Sequence, residues 1–250
     1  MTLAKTMTNL GRNDAKLITR DSFLLTMTGY LVFIAVVFRY LTPYITTRLL
    51  EGEAAFDLVP YYPLIIAYIA VFNGAMLGGM IAGFLLLGER EDGTMRAMLV
   101  TPIAVPTYLL YRVLLPMAFG FALIFVEMVI LLNLAPMPLW QVALIALGGA
   151  FMGPIAALFF GSFAENKVQG FALMKIVGVL GFLILGAWFV APPLEYLFGL
   201  FPPYWVSKAY WLALEGNPWW LGSLALGVVT QLGLIRLLMI RFRQVIYSEV

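Results

Sequence analysis

Six long apolar blocks constrain this chain more than any other feature of its sequence. A helix rises about 1.5 Å per residue, so about 20 apolar residues cross the hydrocarbon core of a bilayer. The blocks predict spans at 23–40, 62–87, 108–134, 139–163, 170–190 and 219–240. The chain is 63% hydrophobic and only 11% charged, too little charge to cover the surface of a soluble domain of 250 residues. The expectation is an all-α integral membrane protein whose 250 residues form a single transmembrane domain.

The first block begins only at Phe23, after a polar stretch too long for the n-region of a signal peptide. Arg39-Tyr40-Leu41-Thr42-Pro43 follows it in place of a small-residue cleavage site, so it is read as a retained span. Within residues 3–20, Leu3, Met7, Leu10 and Leu17 follow a helical stripe, with Lys5, Arg12, Lys16 and Arg20 elsewhere. Segment 1–22 therefore reads as an amphipathic helix in the headgroup layer, with a disordered basic tail as the alternative.

Lysine and arginine set the orientation. With both termini inside, twelve of the fifteen basic residues fall on the inner side, from Lys5 to Arg243. Arg39, Arg48 and Lys208 fall on the outer side. An odd number of spans would spoil that sorting, so the expectation is six spans with both ends cytoplasmic. A net charge of +2 gives no footprint for nucleic acid. The absence of cysteine and histidine removes disulfides, thiolate nucleophiles, and iron–sulfur or haem ligation by these residues.

Small residues at four-residue spacing run through span 2 (Gly74, Gly78 with Gly79, Gly83) and span 4 (Gly149, Gly153, Ala157, Gly161), a signal of close helix packing. Glu127 is the one acidic residue well inside a span. It reads equally as a substrate or proton site and as a structural carboxylate reaching the interface or a neighbouring helix. Asn73 and Gln231 read as interhelical hydrogen bonders. Segment 191–218 is rich in Pro, Trp and Tyr. It predicts two short helices that dip into the outer leaflet, against the plainer reading of an interfacial loop.

The segment between spans 2 and 3, residues 88–107, is the most informative. It carries Glu89-Arg90-Glu91-Asp92-Gly93-Thr94, then Met95, Met98, Leu99 and Pro102 at helical spacing. A short helix with one apolar face amid dense charge suits docking of a soluble partner, and equally suits a loop lying on the headgroups.

The acidic–Gly–Thr stretch with Leu99, Thr101-Pro102 and Tyr108 resembles the corresponding segment of type-2 ABC transporter permeases, the small bacterial drug- or peptide-export type above all. Asn166-Lys167-Val168-Gln169-Gly170-Phe171-Ala172-Leu173-Met174-Lys175 at the start of span 5 matches too, and the resemblance covers nearly the whole chain. It implies a dimer of permeases, a second copy or a homologue, with spans 1 and 5 near the two-fold axis. It implies a coupling helix within 88–107, made of Glu89, Arg90, Glu91, Asp92, Gly93, Thr94, Met95, Met98, Leu99 and Pro102, seated on a separate ATPase subunit. The N-terminal helix would contact the same partner. It further implies an outer gate near Phe198, Phe201, Pro202, Pro203 and Trp205, and a place in a prokaryotic plasma membrane among its lipids.

The chain has no Gly-x-x-x-x-Gly-Lys phosphate loop, so ATP and magnesium are expected on the partner and no cofactor on this chain. It is not expected to be an enzyme: no span contains Asp, and histidine is absent. A hydrophobic or amphipathic cargo fits the sparse charge of the spans. The competing functions are an ion- or proton-coupled secondary transporter, for which Glu127 is the lone candidate site, and a non-transport membrane assembly factor.

Overall fold

The computed structural model describes residues 3–52, 55–94 and 105–248. It is helical, with no strand among the described residues. The helices are α1 Leu3–Arg20, α2 Ser22–Glu51, α3 Tyr62–Ile66, α4 Ala75–Glu91, α5 Val105–Ile130, α6 Leu139–Ala150, α7 Met152–Phe163, α8 Lys167–Leu180, α9 Phe182–Trp188, α10 Pro203–Leu214 and α11 Trp220–Ser248. A wide π-helical segment, Ala67–Gly74, joins α3 to α4. Six stretches among the described residues are long and apolar enough to cross a bilayer: α2, Val59–Glu91, most of α5, α6 with α7, α8 with α9, and α11. The six expected spans are all present, and this is a multi-pass membrane protein.

Spans 2 and 4 form the centre. Their most apolar windows are 78% and 72% buried, against 17% for span 1 and 28% for span 5. The glycine ridges explain the pairing. A Cβ added at Gly79 would collide with the backbone of Gly153, and one at Gly153 with the Pro116 carbonyl of α5. Backbone meets backbone at these points, which only a hydrogen side chain permits. Spans 1 and 5 instead leave large apolar side chains such as Phe33, Tyr40, Ile176 and Val179 outward, for lipid or a second chain to cover.

Span 1 runs further than its hydropathy implies. The sequence predicts a loop over 41–60, yet α2 continues through Pro43 to Glu51. Proline frees the carbonyl four residues back, and that carbonyl, of Arg39, accepts a hydrogen bond from the Asn133 side chain at 3.4 Å. Beyond it, the hydroxyls of Thr46 and Thr47 donate to the carbonyls of Thr42 and Pro43. Such bonds satisfy the hydroxyls within the helix, and they tend to bend it. Span 3 ends earlier than expected, with α5 stopping at Ile130 ahead of a turn. The Arg39 guanidinium donates to the Ile130 carbonyl at 2.5 Å, so spans 1 and 3 are tied at this end.

Segment 191–218 does contain two short helices. The first, a 3₁₀ turn over Leu194–Leu200, is largely exposed. The second, α10, is buried between α11, α6 and the π segment.

Gly153→Ala should cost about 1–3 kcal/mol, because the added methyl meets a carbonyl that cannot retreat. Gly178→Ala, with nothing within 4 Å of the new carbon, serves as the control. Thermal unfolding in detergent should show a lower midpoint for the first and none for the second.

Candidate coupling site

Helix α1 is anchored by charge. Its inward side chain is Asp14, only 2% exposed, and the fully buried Arg112 of α5 donates to Asp14 Oδ2 at 2.8 Å. The other guanidinium arm pairs with Glu89 at the end of α4. Tyr111 donates to Asp14 at 2.6 Å and Tyr108 donates to Glu89 at 2.7 Å. Both tyrosine rings also lie against the guanidinium, with centroids 5.3 and 5.1 Å from its central carbon. One arginine thus joins three helices, and each carboxylate receives a second donor from a phenol. Such pairing offsets the cost of burying the ions, though the Arg112 Nε has no partner among the described residues.

The joint sits at both feet of segment 88–107. Glu89 leads into that segment, and Tyr108 and Arg112 lead out of it. Arg90 donates to the Ala164 carbonyl at 2.8 Å, and Glu91 accepts from the backbone N–H of Lys167 at 2.7 Å. Asn166 caps α8 by accepting from Gln169 N–H, while Gln169 accepts from Glu165 N–H. The acidic stretch therefore ties span 2 to spans 4 and 5. Gly93, at φ +68°, ends α4 in the left-handed conformation. Asp92 and Thr94 are exposed. A cavity of about 520 Å³ opens beside them, with Arg20 and Asp21 on its far wall and Lys167 at its rim. Met95, Met98, Leu99 and Pro102 lie outside the described residues.

Sequence reasoning missed the centre of this joint. The apolar stripe placed α1 in the headgroup layer with Leu17 on its apolar face; Leu17 is exposed on the protein, and the side of α1 that packs on the bundle carries Asp14 and Ile18. Arg112 counted only as one more inner-side charge. A signal was available, since Arg112 lies four residues into the predicted apolar span 108–134 and needs an anion there. Asp14 and Glu89 are among the few acids able to supply one.

Glu127 is fully buried on α5, and neither carboxylate oxygen has a hydrogen-bond partner among the described residues. Its Oε2 lies 3.1 Å from where a Cβ on Gly74, the last residue of the π segment, would stand. Asn73 beside that glycine is half-buried, and no hydrogen bond joins it to Glu127. Gln231 donates to the Gly148 carbonyl at 3.0 Å, an interhelical bond as expected. Toward the opposite end from Arg112, Phe201 packs on Phe72 of the π segment, and Trp205 donates to the Gly199 carbonyl at 2.9 Å. Phe198 lies in the 3₁₀ segment, Pro202 in the turn after it, and buried Pro203 opens α10. Buried Glu195 accepts from Tyr204 at 2.7 Å and pairs with Lys208 at 2.5 Å. Burial, then the bond to Glu195, push the Tyr204 phenol above its ordinary range and keep it a donor.

Six spans around a glycine-packed centre, with a charged joint at one end and an aromatic-rich segment at the other, define a multi-pass membrane protein. Comparison with known proteins makes this specific. Residues 14–239 match the Rv2686c-like family, described as fluoroquinolones export permease protein Rv2686c-like, and the chain belongs to that family. It is 32% identical over 237 residues to the fluoroquinolones export permease proteins of two Mycobacterium tuberculosis strains, CDC 1551 / Oshkosh and ATCC 25618 / H37Rv. The match covers 93% of this chain and 92% of theirs. No solved structure matches. The chain is an export permease of the bacterial plasma membrane.

Arg112→Gln should leave two buried carboxylates without a counter-charge, a loss of about 3–5 kcal/mol, and should release α1. The chain lacks cysteine, so Gly11→Cys, whose new side chain would lie near Tyr111, gives a unique reporter. Its maleimide labelling should quicken about tenfold or more in the Arg112→Gln background. Glu127→Leu removes a buried carboxyl that lacks partners, so its unfolding midpoint should equal or exceed that of the parent while export falls; a lowered midpoint would mark Glu127 as a structural bond instead.

Proposed function

We propose that this chain is the transmembrane subunit of an ATP-driven exporter that moves a hydrophobic or amphipathic solute outward, with both termini cytoplasmic. A separate ATPase, holding ATP and magnesium, docks on segment 88–107, and two permeases assemble along spans 1 and 5. The observation that carries this reading is the Asp14–Arg112–Glu89 joint. It clamps the two feet of the segment to α1, so force applied there moves α1, α4 and α5 together. Asp92 and Thr94 stand free at the open cavity, while Glu89, Arg90 and Glu91 are turned into the membrane domain. The first two therefore meet the ATPase with the apolar stripe that follows, and the other three transmit its movement. The exposed faces of spans 1 and 5 fit a symmetric contact between permeases.

The mycobacterial relatives are named for fluoroquinolones, and a cargo of that kind fits the hydrophobic or amphipathic solute proposed here. It passes between the permeases and leaves past Phe198, Phe201, Pro202, Pro203 and Trp205. Glu127, with Asn73 nearby, is a polar point beside that route.

Charge reversal on the docking segment, Asp92→Lys with Arg96→Glu, tests this. Tagged permease drawn from its native host should carry ATPase activity, and the variant about fivefold less or lower at unchanged helix content. In membrane vesicles, efflux of a fluoroquinolone should require ATP. Efflux that persists without ATP and collapses with the proton gradient would favour the secondary-transporter reading.

A further inference from the structure

A groove of about 660 Å³ runs between α5 and α11 at the end of the bundle that carries the charged joint. Leu109 and Val113 form one wall, and Ile235 and Met239 the other. Two arginines stand over it, Arg236 and Arg243, seven residues apart and so on one helix face about 10 Å from each other along the axis. Both are exposed, and among the described residues neither has a carboxylate partner. Arg243 lies over the ring of Tyr247, 5.7 Å from its centroid.

Depth makes this arrangement telling. Helix α11 starts at Trp220, whose ring meets that of Trp140 in the aromatic zone of the other face. Counting about 20 residues across the hydrocarbon from there ends near Ile240. Arg236 then sits about one turn inside the boundary and Arg243 about one turn outside it. A guanidinium at such a depth needs an anion at the membrane surface to which it can reach. An apolar channel leads away from both arginines into the leaflet.

We propose that this groove is a binding site for one anionic phospholipid of the cytoplasmic leaflet. Its phosphate lies between Arg236 and Arg243, and one acyl chain lies between Leu109, Val113, Ile235 and Met239. Charge complementarity selects this occupant. A second copy of the chain seated here about a two-fold axis would face the same arginines with themselves, which costs like-charge repulsion. A wholly apolar solute would leave both guanidinium groups unsatisfied. A basic pocket between helices at the cytoplasmic face is the setting in which anionic headgroups are held. The site is independent of the cargo and of the ATPase, and rests on the proposed function only for the cytoplasmic side of this face.

The test reconstitutes the full chain into vesicles of phosphatidylcholine with about a quarter phosphatidylglycerol and counts lipids retained on release by native mass spectrometry. The parent should retain phosphatidylglycerol over phosphatidylcholine by about fivefold beyond its share of the mixture. R236Q/R243Q should fall to the mixture ratio, whereas R236K/R243K should keep the preference, which separates loss of charge from loss of fold. R12Q/K16Q removes two exposed charges from the same face and should also keep it. Equal preference in the parent and R236Q/R243Q would overturn the site. So would an equal loss in R12Q/K16Q, which would mark general surface attraction, or a drop in oligomeric state confined to R236Q/R243Q, which would make the groove a protein interface.

Discussion

An arginine side chain cannot stay within a block of apolar helices unless its charge is met there, and Arg112 is met twice. The fold at its charged end follows from this. Asp14 has to come in from a helix that could otherwise float in the headgroups, and Glu89 has to turn back from the end of span 2. The two phenols then take up the oxygen lone pairs that one guanidinium cannot serve. The group is directional, unlike the apolar contacts elsewhere, so it fixes where α1 lies as well as whether it is bound. Apolar packing alone would let an amphipathic helix slide along the surface.

The rest of the molecule divides by how closely backbones approach. Around Gly79 and Gly153 the helices touch without side chains between them, and this gives spans 2 and 4 a stiff centre. Toward the periphery more contacts are between side chains: Phe84 meets Phe23 of span 1 and Phe171 of span 5, while Arg39 bonds span 1 to span 3 and Glu91 bonds the start of α8.

Much of this was readable from the residues. Hydrocarbon imposes so strong a penalty on polar backbone and charge that span number, span order and the glycine seam all appear in the sequence. Where two effects compete, it read less well. The end of α2 was misjudged because a proline and a row of threonines look like a loop until Asn133 is seen to take up the freed carbonyl of Arg39. The anchor of α1 did not show because its buried aspartate finds its partner ninety-eight residues away. Glu91 reads as one of the coupling residues, and its bond to the backbone N–H of Lys167 did not show because the two lie far apart in the chain. Pairings between distant residues leave no periodic trace.

The widened stretch from Ala67 to Gly74 gives span 2 one more property. A π turn holds a surplus residue inside an otherwise regular helix. The surplus offsets the side chains before it from those after it by roughly 100° about the axis, compared with an unbroken α-helix. In span 2 that offset falls beside Glu127 and α10, so the half of the helix that meets them and the half that carries the glycine seam at Gly78, Gly79 and Gly83 each present a face the other could not.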